Sequence, residues 1–285
     1  MWAHQPWVGR FLSPQRRGRE LEEYATWCNS VEGNTTFYAE PSEATIARWA
    51  EQAPADFRFA FKLPRSITHE HRLVGADSLI ASFLRRIEPL EQRIGPVQIQ
   101  LPPSFAPTSI VTLEHTLRSL PREFSWAVEF RHAGFFDGLA ADRVDSILGE
   151  LGIGRVVLDT RPLYSSPPRS DASLDERRTK PRLPIRPGPP SAHPIVRVIG
   201  ADDRGVTLDG LTTWSDQMLS WLDEGREPYL FVHQPENLDS PALARETFDH
   251  IGGLVDGRTA WRLTPLPEPI PVAPRSEIAG QDRLF

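Results

Sequence analysis

Arg155-Val-Val-Leu-Asp159 is a short run in which three apolar side chains stand between two charges. An unbroken apolar run of this length reads as a strand covered on both faces, the habit of parallel strands flanked by helices. Outward from it lie six more strand-like runs: Ser30–Phe37, Phe57–Lys62, Pro96–Gln100, Trp126–Phe130, Ile195–Ile199 and Tyr229–His233. Phe57-Arg-Phe-Ala-Phe-Lys62 alternates apolar and polar residues, and the others are mostly continuous. Helical periodicity fills the intervals at Arg19–Cys28, Glu43–Gln52, Leu79–Arg86, Ile110–Ser119, Ala141–Leu151, Trp214–Glu224 and Pro241–Leu254. Ser42 and Ser240 stand where helix caps are needed, and Pro241 suits a first helical position. Strands alternating with helices imply parallel pairing through crossover connections. The expected fold is therefore an α/β, TIM-type (β/α) barrel. Seven strands are one short of a closed ring, and Met1-Trp2-Ala3-His4-Gln5-Pro6-Trp7 has no strand ahead of it, so the first strand is expected to be lacking or truncated.

The chain has 285 residues, enough for one such barrel, and the expected organisation is a single domain over 1–264. Its one cysteine, Cys28, excludes an internal disulfide and reads as a small buried residue in a reducing compartment. No apolar run approaches the ~20 residues of a membrane helix, and no basic-then-apolar leader opens the chain, so the expected location is the cytoplasm. A net charge of −6 argues against wholesale binding to a nucleic-acid backbone, though not against a local basic patch. Two stretches break the rhythm. Residues 162–194 form a long, basic, proline-rich loop expected over the barrel mouth, with Arg169, Arg177, Arg178, Lys180, Arg182 and Arg186 against Asp171, Asp175 and Glu176. Residues 265–285 form a proline-rich tail expected to be extended and flexible.

The strand candidates end in polar residues: Glu32 and Asn34 with Tyr38 just beyond, Lys62, Gln100, Glu129-Phe-Arg131-His132, Asp159-Thr-Arg161, and His233-Gln234, while Arg197 lies inside the sixth. In a parallel barrel the carboxyl ends meet at one mouth, where such charges either pair or bind ligand. Glu129 and Asp159 are the expected acid/base pair, or ligands of a divalent metal, with His132 and His233 as proton carriers. Lys62, Arg131, Arg161 and Arg197 suit anionic oxygens, and Glu32, Asn34, Tyr38, His69 and Gln100 complete the ligand-binding set. His69 and His71 follow the second strand, and His71 reads as a solvated loop residue. No His-x-x-x-His or Glu-x-x-His pattern fixes a metal, and no phosphate-cradling glycine loop points to nicotinamide or ATP chemistry.

Asn29-Ser-Val-Glu-Gly-Asn-Thr-Thr-Phe-Tyr38, Ile67-Thr-His69, Gln98-Ile-Gln-Leu-Pro-Pro103 and Val128-Glu-Phe-Arg-His132 are ordered motifs. With Phe57–Lys62, Asp159-Thr-Arg161 and Tyr229-Leu-Phe-Val-His233, they closely resemble the YecE-like family, domain of unknown function 72. The resemblance spans nearly the whole chain and implies a TIM-type barrel, with no activity attached. It also implies a short strand ahead of the segment holding Trp2 and Trp7, which is absent here.

Two functions from different classes follow. One is an enzyme, a hydrolase or isomerase, acting at the mouth on a phosphate- or sugar-containing substrate, nucleic acid included. The other is a non-catalytic accessory module: Gln281-Asp-Arg-Leu-Phe285 resembles the pentapeptide that docks proteins on the bacterial DNA sliding clamp. There Leu284 and Phe285 would anchor and Gln281 would set register.

Overall fold

A computed structural model of the chain describes residues 2–254. The 265–285 tail, with Gln281, Leu284 and Phe285, lies outside the described residues, as do the last ten residues of the expected 1–264 domain. Seven strands run parallel: β1 (Ser30–Gly33), β2 (Arg58–Phe61), β3 (Val97–Gln100), β4 (Trp126–Glu129), β5 (Gly154–Asp159), β6 (Ile195–Ile199) and β7 (Tyr229–His233). The helices are α1 (Glu20–Trp27), α2 (Thr35–Tyr38), α3 (Glu43–Gln52), α4 (Asp77–Ile87), α5 (Ile110–Ser119), α6 (Gly138–Leu151), α7 (Arg161–Ser165), α8 (Asp171–Thr179), α9 (Arg204–Thr212), α10 (Ser215–Asp223) and α11 (Ser240–Leu254).

The strands follow chain order, β1-β2 and β3-β4-β5-β6-β7. The two ladders meet where Leu63 donates to the Gln98 carbonyl and Gly95 to the Phe59 carbonyl, both at 2.9 Å. The result is a curled parallel sheet in a mixed α/β fold. Among the described residues no ladder joins β7 back to β1, and a cleft of about 400 Å³ lies between them. Trp7 spans its upper end, its indole donating to the Asn237 carbonyl at 2.8 Å. The sheet is thus open among the described residues, and a closed TIM-type barrel is not seen.

Alternate residues divide between the two faces. Val157, Val196 and Val198 point outward onto Leu211, Trp214, Met218, Trp221 and Leu243. Ala60, Ala127, Val156, Ile195, Tyr229 and Phe231 pack together on the inner face.

Three local departures from the sequence reading have physical causes. The first expected strand, Ser30–Phe37, stops at Gly33, and Thr35–Tyr38 turns into a short helix. The Thr36 hydroxyl lies 2.9 Å from the Gly33 carbonyl and 2.7 Å from that of Lys62, which fixes the turn. Gly33 is required there, since a Cβ would sit 2.5 Å from the Phe61 ring. Residues 162–194 are not one loop. They contain most of α7 and all of α8, the latter capped by the Ser170 hydroxyl on the Ser173 amide at 3.0 Å. Finally, α9 had no apolar periodicity to reveal it. Asp203 caps it through the Val206 amide at 3.2 Å, and Gly210 lets it close on Pro162 without the collision a Cβ would cause. Ser42 caps α3 as expected, accepting from the Thr45 amide at 3.2 Å. Ser240 instead begins α11 itself, its hydroxyl donating to Asn237 at 3.1 Å.

Candidate functional site

Six of the seven strands send charged or polar side chains to the inner face at or near their carboxyl ends. The centre is Arg197, a charge in the middle of the apolar run Ile195-Val-Arg-Val-Ile199 and only 2% exposed. Its guanidinium Nη1 donates to Glu129 on β4 at 2.7 Å, and Nη2 donates to Glu32 on β1 at 3.0 Å. Its Nε pairs with the other Glu32 oxygen. Lys62, just past β2, donates to Gln100 on β3 at 2.9 Å and lies 3.5 Å from Glu32. Arg131 donates to the second Glu129 oxygen at 2.6 Å. His233 on β7 and Asn34 both reach Glu32 Oε2, at 3.0 and 2.8 Å. Residues separated by up to 201 positions thus share one network.

The electrostatics constrain the chemistry. Burial alone would raise the Glu129 carboxyl, but Arg131, Arg197 and Lys62 overcome it and hold it below the usual range. Glu32 is likewise held well down, burial being outweighed by Arg197 and Lys62. Both carboxylates keep their charge at neutral pH and cannot serve as proton donors. Burial, with Arg197 adding to it, pushes the Lys62 ammonium down to about 8. Burial also lowers His233, so its ring is neutral at pH 7; Nε2–H faces Glu32 and Nδ1 carries the lone pair. His69, pushed down to about 4 by burial and the nearby Arg131, is neutral as well. It stands in a π-turn over Ser66–Glu70, edge-on to Phe37 with the ring centres 5.0 Å apart, just before Arg72 and Leu73 with φ of 50° and 65°. Such turns and strained backbones recur at functional sites. Three cations, Lys62, Arg131 and Arg197, stand against two carboxylates, so the network is left with an excess of positive charge.

The structure does not bring every expected residue here. Asp159 faces outward: its Oδ2 accepts from the Trp214 indole at 2.9 Å and from Arg161 Nη2 at 2.7 Å, and its Oδ1 accepts from Arg161 N and Nε at 2.9 Å. Glu129 and Asp159 are therefore no acid/base pair, because consecutive strands β4 and β5 present their last residues to opposite faces. Arg161 goes with Asp159 and is mostly exposed over the Trp214 ring. The His132 ring caps a turn, with Nδ1 accepting from the Gly134 amide at 3.0 Å, and does not enter the network. Tyr38 is on the rim at 74% exposure, edge-on to Phe37.

For the divalent metal, no three His, Cys, Asp or Glu side chains among the described residues are arranged to hold an ion. Glu32, Glu129 and His233 come nearest, but arginine already engages both carboxylates. No described helix is long and apolar enough to cross a membrane. Lys180 was legible only as one charge in a basic segment; its Nζ lies 3.4 Å from Glu176.

Comparison with known proteins gives a consistent result. The family model described as "Protein of unknown function DUF72" matches residues 1–267. The chain is 38% identical over 261 residues to the UPF0759 protein YecE of Escherichia coli strain K12, covering 89% of this chain and 93% of that protein. Among solved structures it resembles a DUF72 family protein from Thermotoga maritima, with TM-score 0.67, 23% identity, and coverage of 88% of this chain and 96% of that one. It also resembles one from Enterococcus faecalis V583, with TM-score 0.65, 18% identity, and coverage of 86% and 90%.

Proposed function

This chain belongs to the DUF72 family, and from that premise we propose that it is an enzyme acting on a small phosphate- or sugar-containing substrate at the carboxyl-end face of its curled sheet. The architecture we infer is a TIM-type barrel open between β1 and β7, in a protein of the cytoplasm. The observation that carries the reading is the network of Arg197, Arg131 and Lys62 around Glu32 and Glu129, three cations against two carboxylates. Such a network is costly to desolvate, and a bound anion would complete its neutralisation. Open α/β barrels bind their ligands at this face.

Arg131 and Arg197 hold an anionic oxygen, and Lys62 adds a third positive charge. Glu32 and Glu129 keep the cations fixed and charged. Proton transfer falls to His233 through Nδ1, with Lys62 as the other group able to change charge near neutrality. Asn34 and Gln100 orient Glu32 and Lys62. Tyr38 offers an exposed ring to the body of a sugar or base.

Arg131→Ala keeps the Arg197 pairings and removes one guanidinium, so phosphate binding is expected to weaken at least tenfold, or about 1.4 kcal/mol. Calorimetric titration of inorganic phosphate into both proteins measures it. Equal affinities would remove Arg131 from the site.

A second reading rests on Gln281-Asp-Arg-Leu-Phe285, outside the described residues: the chain is also an accessory factor tethered to the sliding clamp. A peptide of residues 272–285 is expected to bind purified clamp in the micromolar range and to lose binding when Leu284 and Phe285 are both changed to alanine. No binding at about 1 mM ends this reading, since an affinity that weak would be worth only about 4 kcal/mol.

A further inference from the structure

The cleft between β1 and β7 opens onto the ion network. Trp27, Val31 and Phe231 line it, and at the carboxyl ends of the two strands so do Glu32, Asn34 and His233. Lys62, Arg131 and Arg197 do not line it. The His233 side chain is 25% exposed against 3% for Glu32, so a molecule in the cleft meets the imidazole before the carboxylate.

Asn34 and His233 bond the same oxygen, Glu32 Oε2, at 2.8 and 3.0 Å, which makes the two side chains neighbours. An ionised carboxylate only accepts, so Asn34 uses an Nδ2 proton there and His233 its Nε2 proton. Asn34 Oδ1 and His233 Nδ1 are left as acceptors, and neither has a hydrogen-bond partner among the described residues. Trp27 supplies the complement. It is 1% exposed, and its Nε1–H has no partner among the described residues. A donor buried in that state costs free energy until a ligand or a water accepts from it.

Resting on the reading above, we propose that this cleft is the subsite for an uncharged, polyhydroxylated part of the substrate. Asn34 Oδ1 and His233 Nδ1 accept from its hydroxyl groups, and Trp27 Nε1 donates to one of them. A ligand that meets two acceptors has to bring donors, which an anionic oxygen lacks. An ammonium would bring them together with a charge, but Lys62 lies 3.5 Å from Glu32 and Arg197 is bonded to it, so another cation there is repelled. Neutral hydroxyls satisfy both conditions. The volume of about 400 Å³ lies in the range of small-molecule sites, and Val31 and Phe231 offer apolar surface to the C–H faces of a sugar ring. The hydroxyl bonded to His233 Nδ1 is then the one whose proton the imidazole is placed to take.

The test is calorimetric titration of the full chain with inorganic phosphate, ribose 5-phosphate and phenyl phosphate. The parent protein is expected to bind ribose 5-phosphate at least about tenfold more tightly than inorganic phosphate. Phenyl phosphate, whose ring carries no hydroxyl, is expected to gain no more than about threefold. Asn34→Ala and His233→Gln should each lose about fivefold in affinity for ribose 5-phosphate and keep that for inorganic phosphate. The glutamine amide can keep the bond to Glu32 while lacking Nδ1, and it carries the test if Asn34→Ala fails to fold. Arg131→Ala should weaken both ligands and keep their ratio. Three results overturn this inference and leave the proposed function standing: no gain for ribose 5-phosphate over inorganic phosphate, an equal gain for phenyl phosphate, or variants of Asn34 and His233 that lose both ligands equally. A parent protein that binds none of the three overturns both.

Discussion

Arg197→Leu is expected to destabilise the protein by about 3–5 kcal/mol at pH 7, the cost of stripping a buried ion network of its central cation. The substitution leaves Glu32 and Glu129, 3% and 0% exposed, facing an apolar side chain. Lys62 and Arg131 each hold one of these carboxylates, so the loss is not total. The pH dependence separates this electrostatic account from a packing one. In the parent protein both carboxyls titrate below their unfolded values, so the stability they contribute is full above about pH 4.5 and drains away as pH falls toward their native values. In Arg197→Leu Glu32 loses its strongest partner and Glu129 one of its two arginines, so both accept protons at higher pH. The difference between the two proteins should therefore shrink between pH 6 and pH 4. Urea unfolding at those two pH values checks it. A deficit that is the same at both would mean that lost packing, and not unpaired charge, carries the effect.

Asp159→Ala should cost about 2–3 kcal/mol and leave phosphate affinity unchanged, because it orphans buried donors away from the ion network. The Trp214 indole and the Arg161 amide lose their acceptor. The Arg161 guanidinium, more than half exposed, turns to water and adds little. The bond to Trp214 ties the β5 end to the helix layer at α10, so the damage is to the joint between sheet and helices. Measuring the thermal midpoint and the phosphate titration on the same sample gives both numbers. A stable protein that no longer binds phosphate would return Asp159 to the site.

These two residues mark what sequence reading reaches and where it stops. Glu129 and Asp159 look alike as letters: each is a carboxylate closing an apolar run. A strand apolar on both faces carries no phase, so its last residue can point either way. Arg197 was legible for the opposite reason, since a lone guanidinium inside Ile195–Ile199 has to be paired. Lys62 was legible because Phe57-Arg-Phe-Ala-Phe-Lys62 alternates, which assigns faces. The strands and most helices were readable from period. Helix α9 was not, because its stability comes from a cap and from glycine packing at Pro162. His132 follows a strand and has a titratable ring, yet its lone pair is spent on a turn amide that no spacing rule reveals. Lys180 was hidden by its segment: nothing in a connection rich in proline and arginine sets one of its basic residues apart, whereas Thr160 and Tyr164 hold the backbone at Pro181 and Lys180.

A diffraction structure of crystals grown with inorganic phosphate tests the central claim most directly. The account predicts the Arg197 guanidinium between Glu32 and Glu129, with phosphate oxygens within about 3 Å of Arg131, the contact distance of a charge-assisted hydrogen bond. Glu129 turned toward the helices, or phosphate found only on the outer surface with the network empty, would contradict it.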